Sequence, residues 1–137
     1  MATLANPVSQ PSLSATFQID LRSVESGVSV EVMMAFLKAA GLELKDIYDV
    51  VIPARTLKHR RSGKQNLSRD ESDKLARVIR LYDQAVQVFG DPLKAQHWLR
   101  APKHRYEEKT PLQMMRTDLG GRMVDEMLGQ IDHGMFA

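Results

Sequence analysis

The sequence predicts an all-α fold of seven or eight helices. Three observations carry that expectation. Apolar residues recur at helical rather than alternating spacing along most of the chain. Segment starts are marked by Ser, Thr, Asp and Pro, and segment ends by Gly. No stretch has a clear strand pattern; the alternation of Phe17, Ile19 and Leu21 comes nearest. At 137 residues and 43% apolar content, the chain makes one ordinary domain or two small units sharing a core. Aromatics are few, so that core must rest on Leu, Val, Ile and eight Met.

Residues 1–16, rich in Ser, Pro, Ala and Thr, read as a mobile tail. Asp20 caps a short helix from Leu21 to Ser26, stopped by Gly27. Ser29 opens the next: Val30, Met33, Met34, Leu37 and Ala40 share a face, and Gly41 ends it. A second short helix fits Leu44–Val51, with Leu44, Ile47, Tyr48 and Val51 on one side. Ile52-Pro53 breaks the chain, because proline cannot continue a helix but can begin one. A third helix follows from about Pro53 to Ser62, with Gly63 as its stop.

Ser68-Arg69-Asp70-Glu71 is a capping box. Leu75, Val78, Ile79, Tyr82, Val86 and Phe89 then form a long apolar stripe that closes at Gly90. Asp91-Pro92 caps a helix over about 92–100 that carries Leu93 and Trp98; Pro102 closes it, and a polar loop spans 102–109. Thr110-Pro111 caps a short helix with Leu112 and Met115, and Thr117-Asp118 restarts the chain. Met123, Val124, Met127, Leu128 and Ile131 line the last helix, whose pattern fades near Gly134. Gly120-Gly121 reads as a kink or a close packing site, and no internal repeat is visible.

Charge is unevenly placed. Residues 1–50 carry three basic and six acidic groups. Residues 51–69 carry six basic groups (Arg55, Lys58, Arg60, Arg61, Lys64, Arg69) and no acidic one. Residues 91–137 balance seven against seven. Nearly all the basic excess sits in one block, which suggests an anion-binding surface, most simply phosphate backbone. On charge alone, a solvated basic turn accounts for it equally well.

Two short helices around Ile52-Pro53 have helix-turn-helix proportions. On the third helix, Arg55, Lys58, His59 and Ser62 fall within an arc of about 100°. Leu57 points roughly opposite. Such a helix anchors by Leu57 and offers a basic face outward, as a major-groove reading helix must. Arg and Lys can read guanine edges or hold phosphates, and Thr56 or Ser62 can do either more weakly. Arg60, Arg61 and Lys64 flank that face and suit phosphate contacts. The bland alternative is a surface helix that is basic by accident.

Little points to an enzyme, a metal or a cofactor. Zero cysteines exclude a disulfide scaffold, thiolate zinc and a Cys nucleophile. His59, His97, His104 and His133 form no H-E-x-x-H, and there is no P-loop, G-x-G-x-x-G or G-x-S-x-G. No apolar run reaches the roughly 18 residues of a membrane span, and no secretory signal is visible. A soluble cytoplasmic protein is the expectation. The C-terminus, Gln130-Ile131-Asp132-His133-Gly134-Met135-Phe136-Ala137, is apolar after Asp132. It either folds back on the core or projects an apolar plug with a carboxylate into a partner.

Two sets of motifs stand in order. The first is Pro53-Ala54-Arg55-Thr56-Leu57, then Arg60-Arg61, Leu67-Ser68 and Glu71-Ser72. The second is Val88-Phe89-Gly90-Asp91-Pro92, Ala95, Trp98-Leu99, Thr110-Pro111-Leu112, Thr117, Gly120, Val124, Leu128-Gly129, Ile131 and His133-Gly134. With these, residues from about 27 to 137 resemble the Xre/MbcA/ParS-type antitoxins of bacterial type II toxin–antitoxin systems, whose toxins carry the RES domain. The likeness implies a Cro/repressor-like helix-turn-helix bundle over 17–90, followed by a small helical toxin-binding domain over 91–137. It implies a protein that binds operator DNA, autoregulates its operon and neutralises an NAD+-consuming toxin. It also shifts the reading of the tail: residues 130–137 would cover the toxin's active-site cleft. A homodimer, or a higher oligomer with toxin, is expected because palindromic operators mirror two-fold symmetry. The alternative is a plain dimeric helix-turn-helix regulator without a toxin. Two departures from the family pattern are visible. Gln130 stands where an Arg often precedes the Ile, and Glu107-Glu108-Lys109 where a Gly commonly precedes Thr-Pro.

Overall fold

One long helix organises the molecule. The computed structural model describes residues 11–134. Its helices are α1 (Leu13–Thr16), α2 (Leu21–Ser26), α3 (Val30–Ala40), α4 (Leu44–Ile47), α5 (Ala54–Ser62), α6 (Arg69–Phe89), α7 (Pro92–Arg100), α8 (Pro111–Met114) and α9 (Asp118–Asp132). A 3-10 turn, His104–Tyr106, lies between α7 and α8. Among the described residues there is no strand, and the Phe17–Leu21 alternation becomes a turn and a cap.

The capping box at Ser68 forms as predicted: Ser68 Oγ accepts from the Glu71 N–H, and Glu71 accepts from the Ser68 N–H. The 21-residue α6 then buries Leu75, Val78, Ile79, Leu81, Tyr82 and Ala85. It packs against α1, α2 and α3 from the first half of the chain and against α7 and α9 from the second. Phe36 of α3 meets Tyr82 edge-on, with ring centroids 5.9 Å apart. Residues from both halves of the chain therefore join one core.

The halves are also laced by polar bonds. Arg100 Nη2 donates to Asp46 at 2.8 Å and to the Gly41 carbonyl at 2.9 Å. Gln96 donates to the Ala40 carbonyl. Ser72, the one fully buried polar side chain among the described residues, accepts from the Val28 N–H. Gly27 takes a φ of +93°, and a Cβ there would collide with the Leu67 carbonyl, so the chain between α5 and α6 can close over it.

Three expectations need correction. Residues 12–16 are not a mobile tail. Leu13–Thr16 is a helical turn whose first N–H groups, at Leu13 and Ser14, donate to Asp83 of α6. A carboxylate from a distant element thus meets the open end of the turn, which no local pattern reveals; residues 1–10 lie outside the described residues. The helix expected over Leu44–Val51 stops at Ile47. Tyr48 is extended and Asp49 left-handed, and the β-branched run Val50-Val51-Ile52 leads into Pro53, which disfavours helix before it. All three of those β-branched residues are buried. The 102–109 stretch is not simply polar: Tyr106 is 4% exposed and donates to the Met123 carbonyl of α9.

Candidate functional site

The basic block folds into a short, lightly attached helix. Pro53 is extended and stands as N-cap; α5 runs from Ala54 to Ser62. Leu57 is its single buried side chain, at 2% exposure. Burying a leucine contributes about 2 kcal/mol, which is modest for holding a nine-residue helix. Arg55, Lys58, His59, Arg61, Ser62 and Lys64 are all exposed, and Thr56 is half-buried. The outward face therefore carries cations spaced along one helix and continuing past its C-terminus.

Arg60 departs from this pattern. Its Nε and Nη2 each donate to Glu71 at 3.1 Å, a two-pronged pair across to α6. Burial pushes the Glu71 carboxyl up, but the Arg60 bonds, the Ser68 N–H and the Arg60 charge outweigh it and hold it below the ordinary range. Arg60 itself is held above its usual value by the Glu71 bond. Arg60, Arg61 and Lys64 line one hollow of about 560 Å³ with Gln65, Asn66 and the start of α3. Within that hollow, Arg61 and Lys64 face outward and Arg60 turns to Glu71.

The C-terminal half is built differently. Thr117 caps α9 by accepting from the Gly120 N–H. A Cβ at Gly120 would collide with the Met114 carbonyl, and one at Gly121 would press on Arg77 at 2.8 Å. Arg77 is already committed, donating to the Met115 carbonyl. The glycine pair is thus a close packing site, where α9 meets α8 and α6.

At the end of α9 the candidate residues separate. Gln130 is half-buried and accepts from Arg105 Nη1 at 3.2 Å. Ile131 packs partly against the core. Asp132, His133 and Gly134 are exposed, and His133 Nδ1 lies 2.7 Å from the Gly129 carbonyl rather than paired with Asp132. Met135, Phe136 and Ala137 lie outside the described residues. Leu119 and Met123, one turn apart on α9, are exposed apolar side chains.

The chain from 103 to 109 closes by a Lys103 N–H to Lys109 carbonyl bond. Its turn places Glu107 and Glu108 at φ +56° and +68°. That is the backbone region that glycine prefers and other residues seldom adopt. Lys103 lies over the Trp98 ring at 5.0 Å, and burial pulls its ammonium pKa down. Sequence reasoning missed Tyr106, whose only signal was an aromatic inside a charged loop. It also missed the Arg100–Asp46 clamp, which spans 54 positions. Burial pushes the Asp46 carboxyl up, yet the Arg100 bond, the Glu43 N–H and nearby cations hold it low overall. Among the described residues no group of His, Asp and Glu is placed to hold a metal. No helix among them is long and apolar enough to cross a membrane.

Two family descriptions match this chain. Residues 21–80 match the antitoxin Xre-like helix-turn-helix domain. Residues 84–134 match the antitoxin Xre/MbcA/ParS C-terminal toxin-binding domain. Among individual proteins, the chain is similar to the protein named antitoxin Xre of Pseudomonas putida. The two are 38% identical over 124 residues, covering 90% of this chain and 77% of that one. The protein of the same name from Yersinia enterocolitica is 30% identical over 129 residues, covering 93% and 86%. A third, from Photorhabdus laumondii, is 38% identical over 85 residues, covering 61% and 57%.

Proposed function

The chain belongs to the antitoxin Xre family, and from that premise we propose how its two faces divide the work. The C-terminal face binds a RES-domain toxin and keeps it from consuming NAD+. The α5 face binds operator DNA and represses the chain's own operon. The protein acts in the cytoplasm as a homodimer or as a larger complex with toxin. Free toxin then competes with operator occupancy by mass action, since both draw on one pool of antitoxin.

The observation that carries this reading is the union of both faces on one core. An exposed basic helix in the matched helix-turn-helix half and the matched toxin-binding half are joined through α6. On the DNA side, Arg55, Thr56, Lys58, His59, Arg61, Ser62 and Lys64 are the contact set. On the toxin side, Gln130 to Ala137 form the covering segment. Asp132 offers a carboxylate for basic groups that otherwise hold a dinucleotide's phosphates.

The test removes 134–137 only, because Ile131 packs against the core and its loss would unsettle α9. Tagged full-length chain, expressed from its intact operon, is expected to purify with a stoichiometric partner. Cellular NAD+ is expected to fall when the chain is lost. The truncated chain is expected to bind operator and fail to rescue growth. Growth rescue by the truncated chain overturns the covering segment. A lone dimer with NAD+ unchanged overturns neutralisation and leaves a plain regulator.

A further inference from the structure

We infer that Arg60 is the positioning residue of the DNA-reading helix, acting through Glu71, and is not itself a phosphate contact. The inference rests on the DNA-binding reading above. It begins from how little holds α5. One buried side chain, Leu57, is a single knob, and a helix on one knob can roll about it. Roll decides which of Arg55, Lys58, His59 and Ser62 points away from the body. A second attachment, off the axis of the first, is needed to fix it.

Arg60 supplies that attachment. It lies three residues beyond Leu57, near the end of α5, and both prongs of its guanidinium reach Glu71 at 3.1 Å. Side-chain exposure is 24% for Arg60 and 13% for Glu71, so the pair is largely sheltered. Glu71 is itself fixed: Oε1 accepts from the Ser68 N–H at 2.8 Å, and Ser68 caps α6 in return. The next residue, Ser72, accepts from the Val28 N–H ahead of α3. The roll of α5 is thereby referred to α6 through one carboxylate, and α6 is tied to the segment ahead of α3 through Ser72. A guanidinium with its fork on a carboxylate is also a poor partner for a phosphate, because its charge is already met.

The two roles predict opposite results for the same substitutions. In Glu71→Gln the capping box survives, since Gln serves at that position. As a phosphate contact, Arg60 would be released and a negative charge removed, so DNA binding would tighten. As a positioning residue, it loses its charge-assisted bonds, and operator affinity falls about five- to ten-fold. In Arg60→Lys the cation remains but the fork is lost. A phosphate contact would tolerate this; a positioning role predicts a comparable loss.

The experiment measures binding of the full chain to a duplex from its own promoter and to a random duplex, over a range of salt. We expect both variants to bind the promoter duplex more weakly, with the salt slope unchanged. We expect the random duplex to be little affected, and the double variant Arg60→Lys with Glu71→Gln to be no worse than the singles. Toxin binding and the circular dichroism spectrum are read on the same samples, and both are expected to match the unsubstituted chain. Tighter binding by Glu71→Gln with unchanged binding by Arg60→Lys overturns the inference. So does loss of toxin binding and helix content together, which would make the pair a general support of the fold. Failure of the unsubstituted chain to prefer its promoter duplex overturns the DNA reading instead.

Discussion

Helices α5 and α9 are attached to the body in opposite ways. The nine residues of α5 bury one side chain, and the rest of the helix faces solvent or its rim. The fifteen residues of α9 bury five: Gly120, Gly121, Val124, Met127 and Leu128. Two of those five are glycines, pressed against a carbonyl of the preceding segment and the stem of Arg77. On the proposed reading the α5 face has to stay open for a long charged polymer; α5 has few anchors, and its orientation depends on each. A helix that has to end at a defined place can be fixed along its length, so α9 is held by backbone proximity and has little slack. Sensitivity is therefore of angle at one end of the molecule and of distance at the other.

The largest effect should come from removing the slack that α9 lacks. Gly120→Val puts a branched side chain into the Met114 carbonyl and must lift α9 from α8. Overpacking costs about 1–3 kcal/mol, and more when backbone has to move, so we expect about 3 kcal/mol or beyond. Urea unfolding should shift to a lower midpoint, and toxin binding should be lost with it. An unchanged midpoint would mean that α9 is not held by this approach. Leu57→Ala should come next, at about 2 kcal/mol, near the low end for such a deletion because α5 sits at the surface. Its signature is the reverse: promoter binding should fail under conditions where the fold and toxin binding persist. Parallel loss of both would break the contrast between the helices.

Most of this contrast could be read from the sequence, for a physical reason. Caps and apolar periods are local, so Asp20, Ser29, Ser68, Asp91, Thr110 and Thr117 mark helix starts that the structure contains. The buried Leu57 follows from helical spacing alone. Illegible features depend on partners far along the chain. Asp83 receives the N–H groups of α1 across 70 positions, and Arg100 holds Asp46 across 54. From the sequence Arg60 groups with the phosphate-binding cations, because only its type and helical position are visible there. Its partner is eleven residues on, past a turn whose geometry the sequence does not state.

Acid should act on the attachments rather than on either face. Glu71 and Asp46 are both held below the ordinary carboxylate range in the folded chain. The unfolded chain therefore takes up their protons first as pH falls. Their contribution to stability is complete above the unfolded pKa and is lost as pH drops through the folded value. Stability should stay flat through neutral pH and decline from about pH 4 downward. Asp46→Asn and Glu71→Gln should each lower stability at pH 7 and flatten that decline. A decline of the same steepness in both variants would place the acid sensitivity elsewhere. The effect should be smaller than that of Leu57→Ala, because these pairs keep some access to water.

The smallest change in stability, and the most direct reading of the open face, should come from Lys58→Ala. Lys58 is exposed and has no bonded partner among the described residues, so its removal should shift unfolding by less than about 0.5 kcal/mol. Its effect should fall on DNA. If its ammonium holds a phosphate, affinity drops alike for promoter and random duplexes, and the logarithmic salt slope shrinks by about 1. If it reads a base, the promoter preference itself drops and the slope stays. Either result leaves toxin binding untouched, because nothing but α5 carries the residue. A matched change in toxin affinity would mean that the basic face is shared between the two partners. The lightness of α5's attachment would then have to be explained by something other than an open face for DNA.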